Sequence, residues 1–234
     1  MKIDGVIFDM DGVLVDVSQS YRVAIEKTAN FFLGRSDLSI KVTQEEVMMI
    51  KNLPGFNNDW DATYVLIVLL SKGVKKDKFS NAIKNLPAIN KKTKEYKKIQ
   101  KTFQTFYQRL NSKEKCLISK ELLARLINMN LKLGIATGRP RKEALHAINN
   151  FNLQTFFPEY YIVALEDTAK EKPLPDSLLE VKKRMQVEKP IYIGDTISDV
   201  IAAKKAKMPC VFIGDGSFGD FQITNVNKLE EVLL

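Results

Sequence analysis

One strand without a neighbour constrains this chain more than any other feature. Lys2-Ile3-Asp4-Gly5-Val6-Ile7-Phe8 carries the apolar run Val6-Ile7-Phe8 of a buried strand. Between residues 16 and 116 no clear strand follows, and the pattern is helical. Strands resume only after Leu117, at Leu131–Ala136, Tyr160–Leu165, Ile191–Gly194 and Cys210–Ile213. Helices are expected between and after them, at Ser119–Asn130, Arg141–Asn150, Asp176–Met185, Ser198–Ala206 and within Val226–Leu234. Strands alternating with helices of this length call for βαβ units and a parallel sheet. The first strand needs that sheet. The fold class is therefore α/β, with a core of residues 1–15 and 117–234 and an all-helical insert of residues 16–116 placed after the first strand.

Within the insert, Ser18 to Phe32 reads as a helix with Tyr21, Ile25, Thr28 and Phe32 on one face. Thr43-Gln44-Glu45-Glu46 has capping-box spacing and opens a short helix. Pro54 to Trp60 is a loop rich in turn formers, followed by helices over Asp61–Lys72, Lys78–Leu86 and Thr93–Leu110. The aromatic stripe of the last of these reads as core packing.

Charge and rare residues exclude several function classes. The net charge of +8 comes mostly from lysine. The lysines read as a dispersed, solvated surface, no nucleic-acid-binding motif accompanies them, and no nucleic-acid partner is expected. Cys116 and Cys210 have no metal-type spacing and read as reduced, structural residues. His146 is the only histidine, so a Ser-His-Asp triad or a three-histidine metal site is nearly excluded. No signal peptide is apparent. The longest apolar runs fall far short of the roughly 20 residues that span a bilayer. A cytoplasmic protein, monomer or homodimer, with no membrane partner, is expected.

In an open parallel sheet, ligands bind beyond the carboxyl ends of the strands. Each strand here ends in chemistry. The first stops at Asp9-Met10-Asp11-Gly12, the second at Thr137-Gly138-Arg139-Pro140, the third leads to Lys172-Pro173, and the fourth ends at Gly194-Asp195-Thr196-Ile197-Ser198-Asp199. Buried carboxylates at such a place need compensation, and Mg²⁺ takes oxygen ligands of this kind. Asp9 could attack a phosphorus and form an aspartyl-phosphate. Asp9 and Asp195 would hold Mg²⁺, with the backbone carbonyl of Asp11 as a further ligand and Asp199 acting through a water. Thr137 offers a hydroxyl, Gly138 an amide at a helix N-terminus, and Lys172 a fixed positive charge for the phosphate. Asp11 could give a proton to the leaving oxygen and take one from the attacking water.

These four stretches resemble the motifs of the haloacid dehalogenase superfamily. The resemblance covers the α/β part from end to end, and the helical insert is similar to the type-1 cap of the phosphoglycolate phosphatase-like branch. It implies a Rossmann-like core, Mg²⁺ and an aspartyl-phosphate intermediate. It also makes Asp11 diagnostic, because dehalogenase members lack an acid there and phosphonatase members carry a small residue. A Mg²⁺-dependent phosphatase of a small phosphorylated metabolite is the expectation. A sugar-phosphate mutase of β-phosphoglucomutase type is the runner-up, ahead of a non-catalytic phosphometabolite-binding protein. Where many members of the branch have Ser/Thr-Asn, this chain has Thr137-Gly138-Arg139-Pro140, and Arg139 or Arg141 is a candidate for reaching an anionic substrate group. In the insert, Asn57, Asn58, Asp59 and Trp60 are candidate specificity residues for a polyol or sugar phosphate.

Overall fold

The computed structural model describes residues 3–34, 40–53, 55–56, 58–216 and 218–233. Lys2 of the expected first strand, loop residue Pro54, specificity candidate Asn57 and helix end Leu234 lie outside them. The chain divides into two compact units, Met1–Asp16 with Lys115–Leu234, and Val17–Glu114.

The first unit is built on eight strands: β1 (Gly5–Phe8), β2 (Val15–Asp16), β3 (Lys115–Cys116), β4 (Lys132–Ala136), β5 (Ile162–Val163), β6 (Pro190–Gly194), β7 (Cys210–Ile213) and β8 (Phe221–Ile223). Six of them form one sheet in the order β5-β4-β1-β6-β7-β8, every pair parallel. β1 thus lies inside the sheet, between β4 and β6, and all four of its residues are buried. Phe8 stands level with Ile135 on one side and Ile193 on the other. Because the strands run in register, Asp9, Thr137 and Asp195 leave the sheet along one edge.

β2 and β3 pair antiparallel, Val15 with Cys116 and Asp16 with Lys115. The expected boundaries fell just inside this pair, at residues 15/16 and 116/117. Pairing between residues so distant in sequence leaves no local signal, so the two short strands were not foreseen.

The second unit holds the helices α1 (Tyr21–Leu33), α2 (Gln44–Lys51), α3 (Asp59–Ser71), α4 (Phe79–Ile83) and α5 (Lys94–Gln108). Among its described residues there is no strand. α1 packs on α5 through Tyr21, whose ring stacks on Tyr107 at 4.2 Å. The foreseen capping box at Thr43 is formed, with Glu46 reaching back to the Thr43 amide at 3.0 Å. The lysines are spread along the chain and are densest in the second unit. Eleven lie between Lys72 and Lys101, against the two acids Asp77 and Glu95. All eleven are exposed.

The first unit also carries α6 (Lys120–Asn128), α7 (Arg141–Asn150), α8 (Asp176–Met185), α9 (Ile197–Ala206) and α10 (Glu230–Leu233). α8 and α9 close one face of the sheet, where Val181 and Met185 pack with Ile7, Tyr192 and Ala203 in a fully buried cluster. Among the described residues no helix is long and apolar enough to cross a membrane.

Candidate active site

The site begins at the tip of β1. The Asp9 amide donates to Ile193 O at 2.8 Å, which carries the strand pairing one residue past β1 and fixes the carboxylate at the sheet edge. Asp9 is buried, and Lys172 Nζ lies 2.8 Å from its Oδ1. Burial pushes the Asp9 carboxyl up to about 7, with Lys172 opposing and the charges of Asp199 and Asp11 adding to the rise.

Lys172 is itself buried, whereas the nearby Lys170 is exposed. Its ammonium reaches Asp199 Oδ1 at 2.7 Å and donates to Tyr192 Oη at 3.0 Å. Against burial, which would lower it, the carboxylates of Asp199 and Asp9 hold the Lys172 ammonium above its ordinary range. The lysine therefore stays charged where a phosphoryl group would need it.

Asp199 anchors the lysine. It sits in the first turn of α9, whose N-cap Thr196 makes a full capping box with it: Thr196 Oγ1 and N donate to Asp199 Oδ2 at 2.6 and 3.0 Å. Tyr192 Oη donates to Asp199 Oδ1 at 2.7 Å. Burial works against the ionised form of Asp199, but Lys172 and these hydrogen bonds outweigh it and hold the carboxyl below its usual range. Both Asp199 oxygens are thus engaged by the protein. Gly194 makes this packing possible, since a Cβ there would lie 2.3 Å from the Asp199 Cβ.

Asp195 is the opposite case. Its Oδ1 is buried and has no hydrogen-bond partner among the described residues. Burial and the charges of Asp199 and Asp9 raise its carboxyl well above the ordinary value, with Lys172 opposing. Oxygens of Asp9, Asp195 and Asp199 lie within 4.8 Å of one another. Were all three ionised, three carboxylates would face one ammonium and two buried negative charges would stand uncompensated. An orphaned buried carboxylate oxygen beside such a deficit fits a hard divalent cation with oxygen ligands. Asp9 and Asp195 are the residues with oxygens to offer; Asp199 serves Lys172.

Asp11 is held differently. Arg139 Nε donates to Asp11 Oδ1 at 2.6 Å, and the Arg139 side chain is 1% exposed against 29% for Asp11. This candidate for an outward contact with substrate is therefore turned inward, onto the acid two positions past Asp9. Thr137 is buried after β4, its amide donating to Val163 O and its Oγ1 accepting from the Arg139 amide at 3.1 Å. Gly138 lies in the bend before α7 rather than in a helical first turn, because the N-cap of α7 is Pro140.

The insert candidates belong to the start of α3. Asn58 is its N-cap, and its Oδ1 accepts from the amides of Trp60 and Asp61 at 3.0 and 3.3 Å. Asp59 pairs with Lys51 at 2.7 Å. Trp60 is a first-turn residue of α3, and Asn57 is outside the described residues. Tyr192 and Thr196 escaped sequence reasoning. A signal existed for each: a hydroxyl between Ile191 and Ile193 in a buried strand, and the Thr-x-x-Asp spacing of a capping box.

Comparison with known proteins places this geometry. A protein from Phytophthora nicotianae named imidazoleglycerol-phosphate dehydratase is 32% identical over 87% of the chain, but the match spans only 42% of that protein's length. The phosphorylated carbohydrates phosphatase of Thermotoga maritima is 27% identical over 89% of this chain and 84% of its own. Among solved structures, phosphatase Tt82 from Thermococcus thioreducens superposes with a TM-score of 0.68 at 25% identity, covering 97% of this chain and 98% of that one. The sequence model of the haloacid dehalogenase-like hydrolases matches residues 6–213, a span running from β1 through the insert to the end of β7, and the chain belongs to that family.

Proposed function

We propose that the chain is a Mg²⁺-dependent phosphoric monoester hydrolase acting on a small phosphorylated metabolite through an aspartyl-phosphate. The observation that carries this reading is the buried charge deficit at the tip of β1, where Asp9 and the orphaned Asp195 face one another beside Lys172. Asp9 and Asp195 would hold the cation, which when bound would supply charge neutralisation for the phosphoryl group and the attacking carboxylate.

The chain's own residues do the rest. Thr137 Oγ1, the Gly138 amide and Lys172 orient the phosphoryl group. An Asp9 oxygen attacks phosphorus as the bond from phosphorus to the ester oxygen breaks, and the leaving oxygen takes its proton from the Asp11 carboxyl. Water then attacks the phosphoryl group, Asp11 accepts the water's proton, and Asp9 and inorganic phosphate are released. The similarity to a phosphatase of phosphorylated carbohydrates favours a sugar or polyol phosphate as substrate class. A cytoplasmic setting accords with that class of substrate.

The test is a panel of phosphorylated metabolites assayed with Mg²⁺ and with chelator. Phosphate release in Mg²⁺, its loss in chelator, and a fall of about 10⁴-fold or more in Asp9→Asn are expected. Turnover that survives Asp9→Asn overturns the mechanism. Isomerised phosphate ester in place of free phosphate assigns a mutase instead.

A further inference from the structure

Arg139 is one of the largest fully buried side chains of the protein, yet it carries a charge that apolar packing cannot satisfy. Backbone and side chain both hold it in place. Its amide donates to Thr137 Oγ1 at 3.1 Å, its carbonyl accepts from the Leu165 amide at 2.9 Å, and its Nε–H ends on Asp11 Oδ1 at 2.6 Å. A guanidinium is planar and always charged, and with the side chain only 1% exposed its packing holds the direction of the hydrogen bond. Asp11, the more exposed partner, is thus held by the more buried one.

On the reading that Asp11 exchanges the proton of the leaving oxygen, we propose that Arg139 is the positioning residue for that acid. The hydrogen bond from Arg139 uses Oδ1. It survives protonation of the other oxygen, because a neutral carboxyl still accepts through its carbonyl oxygen. Oδ2 is then the atom that carries the transferred proton, and Arg139 sets where it points. The residue links the Thr137 turn, which receives the phosphoryl group, to the acid that serves the leaving group. It therefore ties together the two ends of the bond to be broken.

The consequence is selective. A basic alkoxide leaves only if it is protonated, whereas 4-nitrophenolate leaves without help. In single-turnover measurements with Mg²⁺, Arg139→Ala is expected to slow alcohol release from an alkyl phosphate about 100-fold and 4-nitrophenolate release by less than about 5-fold. In an Asp11→Asn background, adding Arg139→Ala is expected to change alcohol release by less than about 3-fold, since both variants remove one function. Equal slowing for both leaving groups, or full additivity with Asp11→Asn, overturns the proposal. Thermal melts establish folding. Arg139→Lys keeps the charge but loses the fixed Nε–H, and it must show the same leaving-group selectivity if Arg139→Ala does not fold. Loss of the fold in both variants assigns Arg139 to the framework and overturns the proposal as well. Asp9→Asn in the same assay separates the two levels. If it retains turnover, the aspartyl-phosphate reading itself fails. If it is inert while Arg139→Ala slows both leaving groups alike, only the role of Arg139 fails.

Discussion

Gly12 stands at φ +79°, and a Cβ built on it would lie 1.9 Å from Asp195 Oδ2. The turn after Asp11 thus runs against the Asp195 carboxylate, and only a residue without a side chain allows it. Gly12→Ala is expected to leave the sheet intact, because the strain is local, but to displace Asp195 and lower kcat by about 100-fold. Circular dichroism with steady-state kinetics checks both halves, and wild-type kcat would show that the approach is not needed. The same residues show what was legible. Asp9, Asp11, Thr137, Lys172, Asp195 and Asp199 were picked out because each follows an apolar run, and a parallel sheet gathers strand ends along one edge. Arg139 was not read correctly. A charged residue after a glycine is ordinarily solvated, and nothing local records that Asp11, far away in sequence, would draw it inside. The sequence ranked Asp195 ahead of Asp199 as a metal ligand, but it held no sign that the Asp199 oxygens would be taken by Lys172, Tyr192 and Thr196 while Asp195 kept an orphaned one.

At the scale of elements, the N-terminus of α9 joins stability to the site. Thr196 caps the helix and grips the carboxylate that holds Lys172. Thr196→Ala removes the cap and is expected to cost about 1–2 kcal/mol, typical for such a loss. In a chain of this size that lowers Tm by a few degrees, roughly 2–4 °C per kcal/mol. Activity is expected to fall several-fold in the same variant, because Asp199 is freed to turn, while Thr196→Ser restores both. A loss of Tm with full activity would show that Lys172 does not depend on the cap. Elements with strong periodicity were read from sequence to within a residue or two, as in α7 and α8, whose ends match the expected ones. The strands β4, β6 and β7 were read equally well, each largely buried and carrying a clear apolar run, but the short strands at the sheet's edges were not. β8 is only Phe221–Ile223, docked beside β7. β5 shrinks from the expected six-residue strand Tyr160–Leu165 to Ile162–Val163, because 3₁₀ turns at Glu159–Tyr161 and Leu165–Asp167 occupy its ends. Asp167 Oδ2, which accepts from the Ala164 amide at 2.7 Å, closes the second of those turns.

At the scale of the molecule, the site works against the fold that carries it. Asp9 and Asp195 have folded-state pKa values above their ordinary ones, Asp9 at about 7. Between about pH 4 and that value the folded chain binds more protons than the unfolded chain, so stability falls as pH rises through the window. Asp199 has the opposite sign. Its pKa is held low, and its contribution is lost only as pH falls below the ordinary carboxylate range, outside the window. In chelator, Tm is therefore expected to drop between pH 5 and pH 8. A divalent cation that binds only the folded, ionised site reverses the trend, and millimolar Mg²⁺ is expected to raise Tm by about 5 °C or more at pH 8 and by little at pH 5. Asp195→Asn removes one of the opposed charges. It is expected to raise the chelator Tm at pH 8 and to abolish the Mg²⁺ shift, trading the cation site for stability. A Tm in chelator that stays level from pH 5 to pH 8, with no response to Mg²⁺, would mean that the acids at the tip of β1 are compensated by the protein alone.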